Sequence, residues 1–165
     1  MDVVAAHLSL APMIAEFAQE CADVGITKYH GVADDPSGYV QRLVERSQWT
    51  ESLADGRLPS TTYFAVRDDR IVGAIRVRRG STPNVDNVIG HIGYETRPSA
   101  RGQGIATQLL QWVRQHAIAE PVMVSCQVGN PASQRVIENS GGVYIGNYID
   151  EYEGEVKRFT LTPVV

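Results

Sequence analysis

The chain has 165 residues, 43% hydrophobic and 21% charged, which is the make-up of one globular domain over residues 1–165, expected in the cytoplasm. Its formal net charge of −4 argues against nucleic acid as the main ligand, because phosphate backbones reward basic faces. Two cysteines, Cys21 and Cys126, make neither a disulfide framework nor a metal site; Met1-Asp2-Val3-Val4 lacks the basic start of a signal peptide, and no apolar run nears the roughly 20 residues that cross a membrane.

Residues 3–8 read as a first strand. Over residues 11–22, Ile14, Phe17, Ala18 and Cys21 share a helical face, with Ser9 a candidate cap and Pro12 in the first turn. Residues 25–38 hold no clear element; Gly31, Asp34-Asp35-Pro36 and Ser37-Gly38 mark a loop. A second helix is expected at 39–53. Strands at 61–66 and 71–77 flank the turn Arg67-Asp68-Asp69-Arg70. After a polar loop at 81–87, residues 88–96 read as a central strand. Ile105, Ala106, Leu109, Leu110, Val113 and Ala117 then recur at helical spacing, to about residue 119. A buried strand at 122–128 and a short helix at 132–139 follow. Strands at 143–149 and 156–161 close a hairpin around Glu151-Tyr152-Glu153-Gly154. The order is β-α-α-β-β-β-α-β-α-β-β, without repeats.

Between the central strand and the long helix lies Arg101-Gly102-Gln103-Gly104-Ile105-Ala106. A glycine turn that opens a helix leaves backbone N–H groups unpaired beside the positive end of the helix dipole. Such a site suits phosphate. A Walker A loop is excluded, since no G-x-x-x-x-G-K-[ST] run occurs. The dinucleotide fingerprint fails too: Gly102-Gln103-Gly104 runs into Ile105-Ala106-Thr107, and Glu120, about 20 residues on, lies at the wrong end of a helix.

The remaining pattern, Arg101, Gly104 and Ala106 as R-x-x-G-x-[GA], resembles the pyrophosphate loop of the GNAT acyl-CoA-dependent N-acyltransferase superfamily. His91 to Gly102 is similar to that family's central strand running into its loop. Asn130-Pro131-Ala132-Ser133 resembles its Asn-x-x-[AS] segment after the next strand, and Glu138-Asn139-Ser140-Gly141-Gly142 its helix ending. These specific residues lie between Ile89 and Gly142. The resemblance implies a mixed α/β fold: a central twisted sheet with helices on both faces.

It also implies acetyl-CoA as co-substrate, with no metal. The pyrophosphate would rest on backbone N–H groups of Arg101, Gly102, Gln103, Gly104, Ile105, Ala106 and Thr107, with Arg101 either adding charge or staying solvated. The pantetheine arm would pair with the strand at Tyr94, Glu95 and Thr96. Asn130, followed by Ser133, would bond it through its side chain or cap the helix. The reaction implied is acetyl transfer to a primary amine by direct attack. Backbone N–H near Tyr94 and Glu95 would hold the oxyanion. His91 is the leading candidate base, since an imidazole titrates near neutral pH, and Glu95 the second. Many members place an acidic tyrosine seven positions after the asparagine; here Ile137 stands there. Tyr144 and Cys126 are the candidate substitutes.

A small-molecule or amino-acid-like acceptor is expected, with Asp34, Asp35, Asp150, Glu151, Glu153 and Glu155 either an acidic mouth or solvated turns. The alternatives are a protein N-terminus or lysine as acceptor, and a non-catalytic acyl-CoA sensor. Members of the family often dimerise, which leaves a homodimer open.

Overall fold

The computed structural model of the protein describes residues 1–164. Its elements are β1 (Asp2–Ala5), α1 (Ala11–Asp23), α2 (Pro36–Ser47), β2 (Ser60–Arg67), β3 (Arg70–Arg78), β4 (Ile92–Thr96), α3 (Ile105–His116), β5 (Val122–Gln127), α4 (Pro131–Asn139), β6 (Val143–Asp150) and β7 (Gly154–Leu161). Their order is the expected one.

Helices cover both faces of the strands because the apolar stripes of the helices leave them no other way to be buried. Ile14, Phe17, Ala18 and Cys21 of α1 pack with Val40 and Leu43 of α2 on Phe64, Ile71 and Ala74. Leu109, Leu110 and Val113 of α3 pack on the opposite side with Ile75, Val77, Ile92, Val124 and Phe159. Phe17 and Phe64 are fully buried, each stabilising the fold by about 1.5–3 kcal/mol. No described helix is long and apolar enough to cross a membrane.

The strands form two antiparallel ladders, β1-β2-β3-β4 and β5-β7-β6. They adjoin at the starts of β4 and β5. There the His91 N–H donates to the Met123 carbonyl at 2.7 Å, and the Met123 N–H donates to His91 Nδ1 at 2.9 Å. Gly90 makes this approach feasible: its φ is +72°, and a Cβ would lie 2.9 Å from the Met123 carbonyl oxygen. Past this junction β4 and β5 share no ladder, and the two sheets part.

The central strand is shorter than its apolar pattern suggests. Val85–Ile89 is a π-helical turn, fastened by the Thr82 hydroxyl to the Val85 N–H at 3.1 Å and by the Ser125 hydroxyl to the Val88 carbonyl at 2.5 Å. Gly90 ends the turn, so regular pairing starts only at Ile92. The α1–α2 connection, expected as loop, carries two 3-10 turns, Thr27–Tyr29 and Val32–Asp34. Helix α2 starts and ends earlier than expected. Asp35 caps it, its carboxylate accepting the Gly38 N–H at 3.1 Å, with Pro36 at the first position.

Candidate active site

Where the sheets part, a cleft of about 850 Å³ opens between β4 and the start of α4. Tyr94, Glu95, Thr96, Arg101, Gly102, Gly104, Ile105, Ala106, Thr107, Asn130 and Ser133 all line it. Of the residues expected to meet the cofactor, Gln103 alone is not in the lining; its side-chain carbonyl accepts from Arg67 Nη2 at 2.6 Å. That bond ties the β2–β3 turn to the glycine loop.

The loop has the geometry of an anion cradle. Gly102 and Gly104 have φ of +77° and +76°, the left-handed region that disfavours any Cβ. Gly104 is the N-cap of α3 and offers no side-chain acceptor, so the first-turn N–H groups keep their donors for a ligand. Nothing lies within 4 Å of where a Cβ on Gly102 would be. Behind the loop, Arg97 is buried and donates to Glu20 at 3.1 Å and to the Ile71 carbonyl at 3.1 Å. The Glu20 carboxylate also accepts from the Ser99 N–H at 2.9 Å. Burial would raise the Glu20 carboxyl, but its bonds to Ser99 and Arg97 win and hold it below its ordinary value. Helix α1 thus pins the turn that leads into the cradle.

Two candidate bases were brought to different places. Glu95 faces the cleft and touches the α1–α2 connection: its carboxylate is in ion-pair contact with Lys28 and accepts the Tyr29 hydroxyl at 2.8 Å. Burial, then repulsion from Arg76 and Arg78, pulls the Lys28 ammonium down to about 7, beside the Glu95 carboxylate. Tyr29 is buried, which keeps its phenol protonated. His91 does not line the cleft. Its Nδ1 accepts from Met123, so Nε2 carries the ring proton and donates to the Gly80 carbonyl at 2.8 Å. Both nitrogens are engaged in holding the sheet junction.

Sequence comparison settles which family builds such a cleft. A family model described as an acetyltransferase (GNAT) domain matches residues 8–143. The chain belongs to the GNAT acetyltransferase family. It is therefore an acyltransferase of the kind that moves groups other than aminoacyl groups. A search of curated proteins finds no match. Among solved structures, it is similar to the ribosomal L7/L12 alpha-N-protein acetyltransferase RimL in complex with coenzyme A. The identity is 18%, over 98% of this chain and 93% of that one, with a TM-score of 0.69. The microcin C7 self-immunity acetyltransferase MccE, in complex with acetyl-CoA and AMP, is 14% identical over 98% and 92%, at a TM-score of 0.69. A spermidine N-acetyltransferase chimera from Vibrio cholerae and hSSAT is 12% identical over 98% and 96%, at a TM-score of 0.66. These likenesses show that the GNAT fold is shared, as expected from the sequence.

On the α4 side of this GNAT cleft, Asn130 caps the helix, accepting the Ser133 N–H at 3.1 Å, and lines the cleft as well. Ile137 is fully buried in the core beneath it. The two hydroxyls that meet across the cleft are those of Tyr94 and Ser133, 2.5 Å apart. Burial outweighs the Ser133 hydrogen bond and pushes the Tyr94 phenol up to about 12. Tyr144 stands elsewhere: it is on the outer strand β6, 54% exposed, and its hydroxyl bonds Asn147. Cys126 is buried in the core, and burial raises its thiol. Two of the acidic residues serve the backbone of a helix start and a turn. Asp35 caps α2, and Asp150 accepts from the Tyr152 and Glu153 N–H groups in the β6–β7 turn.

Sequence reading passed over Lys28, Arg76 and Arg78. The last two carried a signal: Arg76-Val77-Arg78 places two cations on one face of a strand directly after the uncharged run Ile71–Ile75.

Proposed function

We propose that this GNAT member transfers an acetyl group from acetyl-CoA to the primary amine of a small acceptor, in a ternary complex. The observation that carries this reading is the continuous cleft, which joins the glycine cradle to the Glu95 carboxylate. The cradle receives the pyrophosphate. Edge N–H groups of β4 serve the pantetheine and the oxyanion. The Arg97 N–H donates to Val72 on the β3 edge, and N–H direction alternates along a strand, so those of Tyr94 and Thr96 turn to the open edge while that of Glu95 turns to β3.

Glu95 takes the proton from the acceptor ammonium once that ammonium replaces Lys28 against it. The freed amine nitrogen bonds the acetyl carbon and the carbon–sulfur bond breaks. Tyr94, whose hydroxyl Ser133 keeps aimed across the cleft, gives the departing thiolate its proton and regains one from the nitrogen, which sheds its second proton as the amide forms. His91 serves as a positioning residue at the junction. The 3-10 turn that carries Lys28 and the buried Tyr29 closes over Glu95, which favours a small acceptor over a protein segment.

Two measurements test this. Acetyl-CoA at 100 times its dissociation constant raises native stability by about 2.7 kcal/mol, read as a higher unfolding midpoint, while ATP and NAD give no shift. Equal shifts with all three, or none with acetyl-CoA, remove the reading. With turnover established, Tyr94→Phe lowers kcat about 10- to 100-fold while the acetyl-CoA shift persists; an unchanged kcat assigns the thiolate proton to another donor.

A further inference from the structure

Arg76 and Arg78 alternate on β3 and so stand on one of its faces. The ladder fixes which face. Ala74 lies opposite Glu95, Arg76 opposite Gly93, and Ala74 packs under α1 and α2. Glu95, Arg76 and Arg78 therefore follow one another along the face that α1 and α2 cover. Gly93 has no side chain to screen Arg76.

These cations have little to neutralise them. Arg76 Nε reaches only the Thr62 hydroxyl, at 3.5 Å. Arg78 Nη1 donates to the Gly90 carbonyl at 3.2 Å, and Arg46 Nε, from α2, to the Leu58 carbonyl at 2.9 Å. Among the described residues no carboxylate comes within ion-pair distance of the three, whereas Lys28 has Glu95 and Arg57 has Asp55. All three are half-buried. Burial first, then repulsion from Arg76 and Arg46, pulls Arg78 down to about 10. A second cavity of about 540 Å³, lined by Arg46, Arg78 and the Asp55–Arg57 pair, shares Ile89 as a wall with the cleft. Half-buried guanidiniums that repel one another cost stability. Their planar forks fit carboxylate or phosphate oxygens two at a time.

We propose that this face holds the acceptor by an anionic group, so that the substrate is an amine bearing a carboxylate or phosphate, with its ammonium at Glu95 and its anion at Arg76 and Arg78. The inference rests on the reading of Glu95 as the acceptor end of the cleft. Two strand residues separate the row's successive members, which sets the amine and anion roughly 7 Å apart. A polyamine, cationic at both ends, is repelled from the same row.

Binding to the CoA-saturated protein tests this apart from turnover. The probes are 4-aminobutyrate and 2-aminoethyl phosphate, each against the amine that lacks its anionic group, butylamine or ethanolamine, with spermidine as a third arm. Calorimetry should give at least one anionic probe an affinity about tenfold or more above its counterpart. The better of the two probes distinguishes carboxylate from phosphate. Arg76→Gln and Arg78→Gln should each erase that preference while the thermal shift with acetyl-CoA stays as in the wild type. Equal binding of the amines with and without the anionic group, no binding of either anionic probe, or tighter binding of spermidine overturns the inference. Preference for the anionic probe without thiol release upholds it and instead removes the acetyl-transfer reading.

Discussion

Glu95→Gln abolishes most turnover, lowering kcat about 100- to 1,000-fold, the range over which a positioned base contributes. The substitution keeps size and shape, and its amide oxygen can still face Lys28 or accept the Tyr29 hydroxyl, the two partners of the carboxylate. What it removes is the capacity to take a proton. Glu95 lies on β4, paired through Ala74, and a neutral isostere leaves that ladder intact. The glycine cradle lies at the other end of the cleft, so the stabilisation by acetyl-CoA persists. Stopped assays of thiol release, alongside melting with acetyl-CoA, separate the two effects. A loss below about threefold would place the base elsewhere, since no positioned base contributes so little.

Gly102→Val has the opposite signature: acetyl-CoA binding is lost and the fold is kept. The glycine has a φ of +77°, where a β-branched side chain is strained by about 1–2 kcal/mol. No protein atom lies within 4 Å of the new Cβ, so the free protein has no other reason to unfold. The open space is where the phosphate must approach, and the valine fills it. Strain and obstruction together weaken acetyl-CoA about 100-fold or more, equivalent to about 2.7 kcal/mol. Melting in the absence of ligand checks the fold, and the shift with acetyl-CoA checks the cradle. A normal shift would mean that the pyrophosphate lies elsewhere.

The parts of this architecture that depend on neighbours in sequence were legible. Helix α3 announced itself by the period of Ile105, Leu109, Leu110 and Val113, and the cradle by its two glycines in front of that helix. The Asn130 cap and the element order followed from the same local rules. What depended on tertiary partners was not legible. Val88 and Ile89 have strand propensity, but Ser125 and Thr82 claim their turn and wind it into a π-helical bulge. His91 has the residue type of a base, and only the positions of Gly80 and Met123 show that its nitrogens are engaged. The face that Glu95 takes could be read only once its register against Ala74 was known. The Arg76 and Arg78 pair was visible as a pattern, but its want of carboxylates is a property of the folded neighbourhood.

The junction at Gly90, His91 and Met123 works as the pivot of a pair of compasses. Glu95 lies four strand residues along one arm, about 13 Å from it. A swing of about 5° at such a pivot carries Glu95 sideways by about 1 Å, and a displacement of that size can cost about 100-fold in rate when reacting atoms must meet at 3–3.5 Å. On the proposed reading, residues that never approach either reactant therefore bear on the rate of the reaction, because they fix the angle at which its two halves are presented.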